Sequence, residues 1–135
     1  MKILLDTHVI IWVLTDDPRL SDKARELVCS PENILYYSVA SLWEIAVKNL
    51  KSPQKCPYHE TDVMEYCREA GYLSLDIQAH HIQGVRTLKL REGRYLANMD
   101  PFDRLLISQA KTEGCLILSH DTCFDNYDEK CILRI

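Results

Sequence analysis

The chain has 135 residues, the length of one ordinary domain, and a formal net charge of −4. Its 47% hydrophobic and 27% charged residues are typical of a soluble globular protein and exclude a disordered or membrane-spanning chain. The acidic balance argues mildly against a nucleic-acid binder, which is usually basic, unless several acids gather at one cation site.

In chain order, apolar runs and helix-breaking residues predict short strands that alternate with helices. Over the first half we expect a strand at residues 2–5, a helix at 8–14, a helix capped by Ser21 up to residue 29, a strand at 33–37 and a helix at 39–49 that begins after Ser38. A loop with two prolines follows at residues 52–57.

The second half continues the alternation. We expect a helix at residues 59–70 ended by Gly71, a strand at 73–77, a helix at 78–90 and an irregular segment at 91–99. A helix between Asp100-Pro101 and Gly114 follows, and then a strand at 115–118. The chain closes with a turn or short helix at 121–127 and a strand at 131–135. This order predicts an α/β fold over a single domain, residues 1–135, with a mostly parallel central sheet and helices on both faces.

The cysteines and histidines exclude several kinds of site. No two of the six cysteines form a C-x-x-C pair, which excludes a zinc ribbon and a thioredoxin-type motif. The five histidines lack H-E-x-x-H or similar ligand spacing. Asp6 interrupts the apolar start, so no signal-peptide core is expected. We therefore expect a cytoplasmic protein with free thiols and no contact with a membrane.

Four acids fall where a parallel sheet of this kind binds ligands, outside the carboxyl ends of its strands. Asp6 follows the first predicted strand and Asp121 follows the fourth. Glu44 lies in the second turn of one helix and Asp103 in the first turn of another. Carboxylate oxygens are the ligands that Mg²⁺ prefers, and such an ion also lets an acidic protein bind a polyanion.

Each acid also has a purely structural interpretation. Glu44 has the right spacing to pair with Lys48 on an exposed helix face. Asp103 stands in a capping-box position if Asp100 is the N-cap. Asp121 suits a turn, and Asp6 suits the end of a strand. Four separate explanations of this kind leave the shared location of the acids unexplained.

Four segments that carry these acids resemble, in order and nearly in spacing, the conserved segments of the PIN domain, and more narrowly those of VapC-type toxins of toxin–antitoxin pairs. They are residues 1–14 (MKILLDTHVIIWVL), 38–51 (SVASLWEIAVKNLK), 100–114 (DPFDRLLISQAKTEG) and 118–124 (LSHDTCF). The resemblance covers the whole chain and implies a three-layer α/β/α fold.

The resemblance also implies function. It predicts a Mg²⁺- or Mn²⁺-dependent endoribonuclease that hydrolyses RNA with a metal-activated water, binds a cognate antitoxin and forms a homodimer. The acids Asp6, Glu44, Asp103 and Asp121 would hold the metal and carry catalysis. The outer residues expected to support them are Thr7, Ser119, which stands where the family often has threonine, and Asp100, which we interpret as a cap. Asp125 is an undecided fifth acid.

A cationic segment is a candidate for contact with RNA phosphates. Arg86, Lys89, Arg91 and Arg94 place four positive charges among nine residues, against one acid. Arg104, next to Asp103, is a further candidate. A solvated helix face explains the first four equally well, and pairing with a nearby acid explains Arg104 equally well.

Four aromatic and histidine side chains receive supporting roles. Trp12 and Trp43 are expected in core or interface packing rather than in base stacking. His8 and His120 neighbour the predicted ligands and are expected to pack or to support them, because sites for hard metals favour oxygen.

Two alternatives stay open at this point. The first is a PIN-type nuclease with a housekeeping role or a DNA substrate. The second is a binding module that kept the fold and lost catalysis, which the presence of all four acids disfavours. A haloacid-dehalogenase-like phosphatase would need a second aspartate at the position of His8.

Overall fold

The computed structural model describes all of residues 1–135 and has one central sheet. The five strands are β1 Lys2–Leu5, β2 Ile34–Ser38, β3 Leu73–Leu75, β4 Leu116–Ser119 and β5 Ile132–Arg134. The helices are α1 Thr7–Leu14, α2 Asp22–Cys29, α3 Val39–Lys51, α4 Glu60–Glu69, α5 Ala79–Gly84 and α6 Pro101–Glu113. Short 3-10 helices occupy Val85–Thr87, Leu96–Asn98 and Thr122–Asn126.

All strands of the sheet are parallel, in the order β3-β2-β1-β4-β5. The chain starts at the centre, builds one side with β2 and β3, and then returns to build the other side with β4 and β5. The strand order therefore reverses between β1 and β4. In parallel α/β sheets a crevice opens at the carboxyl ends of the two strands that flank such a reversal, and ligands bind there.

Two apolar cores lie on opposite faces of the sheet, because successive side chains of a strand point to opposite faces. Ile3 and Leu5 of β1 join the core packed by α1, α2 and α4. Leu4, between them, joins the core packed by α6. Both faces are thus covered by helices, which confirms the predicted three-layer α/β/α fold with a parallel sheet.

The sequence features predicted to begin and end helices do so. Ser21 and Ser38 accept hydrogen bonds from backbone amides in the first turns of α2 and α3. Asp100 accepts from the amides of Phe102 and Asp103 at 2.8 and 3.0 Å, so it is the N-cap of α6. Gly114 ends α6 with a φ of 68°, a left-handed conformation that favours glycine.

Two predicted elements are too long. The helix expected at residues 78–90 ends at Gly84 and continues only as the 3-10 helix Val85–Thr87. The chain then leaves the helical path, and the side chain of Leu88 is buried in the core beside α6. The strand expected at residues 73–77 ends at Leu75, where its ladder with β2 ends.

The length and hydropathy of the helices also decide whether any of them could span a membrane. No helix in the structure is both long enough and apolar enough to cross a bilayer.

Candidate functional site

The crevice at the strand-order reversal contains four carboxylates, those of Asp6, Glu44, Asp103 and Asp121, which we call the carboxylate crevice. Asp6 directly follows β1, and Asp121 lies two residues after β4. Glu44 comes from the second turn of α3, and Asp103 from the first turn of α6. Four elements distant in sequence thus bring the four predicted acids to one place.

Asp6 lies buried at the floor of the crevice, where hydrogen bonds hold its carboxylate. Its side chain is 2% exposed and accepts hydrogen bonds from the Thr7 amide and the Ser119 hydroxyl, both at 2.8 Å. It is also the N-cap of α1. Burial raises the pKa of Asp6 to about 6, the nearby charge of Glu44 adds to the rise, and the hydrogen bond from Ser119 opposes it.

Glu44 is buried as well, with 4% of its surface exposed. The Thr7 hydroxyl donates to its Oε1 at 2.8 Å, and the Ser41 hydroxyl lies 2.9 Å from that of Thr7. Its other oxygen pairs with the ammonium group of Lys48. The predicted i,i+4 pair therefore exists, but it stands at the wall of the crevice and not on an outer helix face.

Asp103 carries the clearest electrostatic sign of crowding. Burial raises the pKa of its carboxyl group to about 8, and the charges of Asp6, Asp100, Glu44 and Asp121 all add to the rise. Its carboxylate accepts no hydrogen bond within the chain. The capping box that could have explained Asp103 is therefore not formed, and Asp100 alone caps α6.

Lys48 is the cation at the centre of this negative charge. Burial opposes protonation of its amine, but the hydrogen bond to Glu44 and the charges of Glu44, Asp100 and Asp103 together raise the pKa of Lys48. Asp100 thus acts on the crevice by its charge, although its own carboxylate is used as a cap. A single lysine leaves most of the negative charge of the crevice uncompensated.

Asp121 and Asp125 differ in surroundings. The Asp121 carboxylate accepts from the Cys123 amide at 2.8 Å, and its own amide donates to the Ser119 hydroxyl at 3.1 Å. These contacts place Asp121 beside Asp6, because Ser119 touches both. Asp125 is exposed and pairs with Arg134 at 3.1 Å, whereas no contact in the structure joins it to the four crevice acids.

The ligand atoms of the carboxylate crevice do not form a group of three within 4.8 Å of one another. Such a group exists elsewhere, formed by His80, His81 and Glu113. The Gln78 amide donates to Nδ1 of His81 at 2.9 Å, so Nε2 carries the ring proton and donates to Glu113 Oε1 at 2.7 Å. A metal-binding histidine shows the opposite pattern, with its second nitrogen as donor, so we interpret this group as a hydrogen-bonded link between α5 and α6.

The residues of the predicted cationic segment, and Arg104, lie at three separate places on the structure. Arg91 and Arg94 donate to Asp125 O and Asn126 Oδ1, at 2.7 and 2.8 Å, beside the 3-10 helix that Asp121 caps. Arg104 donates to Leu96 O at 3.0 Å and shares a cavity with Arg86. Lys89 lines a cleft with Gly114 and Cys131, at the amino ends of β4 and β5 and away from the crevice.

The two tryptophans and the two histidines predicted to have supporting roles differ in their surroundings. Trp12 is buried and packs edge-on against His120, with ring centroids 4.4 Å apart, while Arg19 lies 4.8 Å above its ring. His8 is exposed beside Thr7 and lowers the pKa of Asp6 by its charge. Trp43 is 62% exposed on α3, so core packing is wrong for this residue and interface packing stays a prediction.

Sequence reasoning missed three residues at the site. Ser41 stands one helical turn before Glu44, a spacing that puts both on one face of α3 and could have revealed it. Arg19 and Lys55 come from loops, and nothing in their local sequence indicates that they line a cleft beside Thr7 and His8.

Comparison with known proteins gives one family and several similar folds. The sequence model of the PIN domain family matches residues 3–130. A search of curated protein sequences gives no match. A chain of VapBC2 from Rickettsia felis, crystallised with a DNA fragment from the promoter of the pair, has a TM-score of 0.69 and 16% identity, and 99% of this chain aligns with 98% of that one.

Two further structures are similar over nearly their full length. A chain of the toxin–antitoxin system VapBC-5 from Mycobacterium tuberculosis has a TM-score of 0.66 and 20% identity, with 99% of this chain and 98% of that chain covered. A chain of a toxin–antitoxin complex from Klebsiella pneumoniae has a TM-score of 0.61 and 17% identity, with 98% and 99% covered. At these identities the similarity establishes the fold.

Proposed function

The chain belongs to the PIN domain family, and on that premise we propose that it is a metal-dependent endoribonuclease, the toxin of a toxin–antitoxin pair. The observation that carries this proposal is the carboxylate crevice, which brings four acids together and where burial and then the neighbouring charges raise the pKa of Asp103 to about 8. A site that accumulates unpaired negative charge in a polar crevice is built to receive a cation. The proposal covers residues 1–135 as one nuclease domain.

The residues of the crevice fit Mg²⁺ or Mn²⁺. The four side chains offer carboxylate oxygens only, the donor type that hard divalent cations take. Asp6 and Glu44 are buried and are fixed by hydroxyl or amide donors, and the Asp103 carboxylate has no competing hydrogen bond. When bound, such an ion supplies polarisation of the scissile phosphodiester and a more acidic water.

The remaining groups of the chain orient these carboxylates. The Ser119 hydroxyl donates to Asp6, and the Thr7 hydroxyl donates to Glu44. The Asp103 carboxylate accepts no hydrogen bond within the chain, so its oxygens are free for the cation or for a proton. The roles of these residues in catalysis are part of the proposal.

The partners follow from the similar structures. The VapBC structures with this fold are of toxin–antitoxin systems, and we extend a cognate antitoxin partner to this chain from them. A homodimer is also proposed, because α3 exposes Trp43 and Leu50, the latter 82% exposed. Large exposed apolar side chains on one helix favour an interface. We propose the cytoplasm as the compartment.

The experiment is cleavage of a single-stranded RNA and of a DNA of the same sequence by purified protein, with Mg²⁺, Mn²⁺ or EDTA. We expect metal-dependent cleavage of the RNA, loss of cleavage in Asp103→Asn, and full cleavage in Asp128→Asn, which removes the same charge from an exposed position. Cleavage of DNA alone would assign the fold to a DNA-directed nuclease. No cleavage of either would leave a binding module.

A further inference from the structure

A second cleft adjoins the carboxylate crevice between α1 and the loop at residues 52–57. Its cavity measures about 270 Å³, close to the lower end of pockets that bind small ligands. We call it the lateral cleft, and its cationic and aromatic lining consists of Arg19, Lys48, Lys55, Trp12 and Tyr58. Thr7 and His8 line its side nearest the acids, so the cleft and the crevice share a wall.

The lateral cleft is positive in a chain whose net charge is −4. Its lining contains Arg19, Lys48 and Lys55 against one acid, Asp17; Lys48 is already paired with Glu44, so the other two cations less Asp17 leave +1. The charge of this cleft is opposite in sign to the net charge of the chain. A positive cleft favours binding of an anionic ligand.

The three cations are not equally free. Arg19 donates to both oxygens of Asp17, at 3.1 and 2.8 Å, and Lys48 pairs with Glu44. Lys55 makes no ion pair, although its loop is fixed, since the Asn49 side chain donates to Cys56 O at 2.8 Å. Lys55 is therefore an exposed charge without an ion pair, on a loop whose backbone is fixed.

A neighbouring cavity extends from the lateral cleft towards Asp121. A second cavity of about 280 Å³ shares His8, Trp12 and Arg19 with the lateral cleft and reaches His120 and Asp121. Because they share these three residues, the two cavities lie next to each other along α1, with Asp121 lining one and Lys55 lining the other. An extended polyanion bound at Asp121 and lying along both cavities would reach Lys55.

We propose that the lateral cleft binds the nucleotide next to the scissile linkage of a single-stranded RNA, with a phosphate at Lys55 and the sugar or base against the ring of Tyr58. This inference rests on the proposed function and names a subsite for its substrate. Tyr58 is half-buried and presents an aromatic surface to the cavity, whereas the buried ring of Trp12 is already covered by Arg19. Phosphate neutralisation and aromatic packing are the two contacts by which proteins hold single strands.

The first test compares Lys55→Gln with Lys51→Gln. Both remove one exposed lysine charge, and Lys51 does not line the cleft. Binding of a labelled single-stranded RNA is measured by anisotropy in Ca²⁺ over a range of salt, and cleavage in Mg²⁺ gives KM and kcat. We expect Lys55→Gln to bind about threefold to fivefold more weakly, with a salt slope reduced by about 0.7 and kcat within about twofold of wild type.

The second test locates the phosphate. Synthetic RNAs carry one uncharged methylphosphonate at a time, at each linkage on either side of the cut. At one linkage next to the cut the methylphosphonate should weaken binding by wild type and by Lys51→Gln, but not by Lys55→Gln, since that variant has already lost the contact. Additive effects at every linkage would overturn the assignment.

The outcomes separate this inference from the proposed function. If wild type cleaves RNA and Lys55→Gln behaves like Lys51→Gln, the subsite is wrong and the nuclease stands. If wild type cleaves nothing, the nuclease is wrong, and the binding measurements still decide whether Lys55 contacts a phosphate. Unchanged RNA binding by Lys55→Gln together with lost binding of a glutamate-rich peptide would assign the cleft to an acidic protein segment and overturn the proposal.

Discussion

Neutralising Asp103 should stabilise the metal-free protein. The Asp103 carboxylate accepts no hydrogen bond and is not the cap of its helix, so Asp103→Asn removes a repelled charge and little else. Asp6 does not permit the same test. It is the N-cap of α1 and accepts two hydrogen bonds, so replacing it also changes contacts that hold the fold together.

The sign and pH window follow from the raised pKa of Asp103. Its pKa is 3.8 as a free side chain and about 8 in the folded chain. Between these values the folded state holds more protons than the unfolded one, so wild type loses stability as the pH rises from about 4 to about 8. The loss is complete above pH 8 and absent below pH 4. Asp103→Asn removes this dependence.

The magnitude can be bounded. At about 1.4 kcal/mol for each tenfold change in proton affinity, the rise of the Asp103 pKa from 3.8 to about 8 corresponds to at most about 6 kcal/mol. Solvent reaches this partly exposed side chain and screens the repulsion, which leaves about 2 kcal/mol. Loss of the favourable charge at the amino end of α6 offsets about 0.5 kcal/mol. The net gain of about 1.5 kcal/mol raises Tm by about 5 °C.

The assay is thermal unfolding followed by circular dichroism in EDTA, at pH 8 and pH 4, for wild type, Asp103→Asn and the exposed control Asp128→Asn. The Asp103 variant should exceed wild type at pH 8 and match it at pH 4. Added Mn²⁺ should raise the Tm of wild type more than that of the variant, because only an intact crevice binds it fully. A variant that melts at or below wild type at pH 8, or gains equally at both pH values, would refute the reasoning.

Three further outcomes are expected. Thr7→Val leaves the buried Glu44 carboxylate without its hydroxyl donor; calorimetry should show about 10- to 100-fold weaker Mn²⁺ binding, and an unchanged affinity would remove Thr7 from the site. End-group analysis of cleaved RNA should find a 5′-phosphate and a free 3′-hydroxyl, whereas a 2′,3′-cyclic phosphate would contradict hydrolysis by water. Light scattering should give a dimer that Trp43→Glu dissociates, and a wild-type monomer at all practical concentrations would exclude the interface.

Local sequence was enough to predict most of the helices and strands, because the signals that begin and end them act between residues close together in the chain. The apolar runs at β1 and β4 and the caps Ser21, Ser38 and Asp100 each act within a few residues, and the elements they predict are present within one or two residues. The helix predicted through residue 90 is wrong beyond Gly84, since the burial of Leu88 beside α6 depends on a distant element.

The candidate site shows the same division. The sequence determined which acids follow the strands and begin the helices, and hence that Asp6, Glu44, Asp103 and Asp121 meet at one edge of a parallel sheet. Only the tertiary structure decided how each is held: that Thr7 reaches Glu44 across 37 positions and Ser119 reaches Asp6 across 113. It also decided that Asp103 alone lacks a hydrogen-bond partner and that Lys55 lines the cleft that adjoins the crevice. Coulomb forces and hydrogen bonds depend on distance in space, which the order of residues along the chain does not contain.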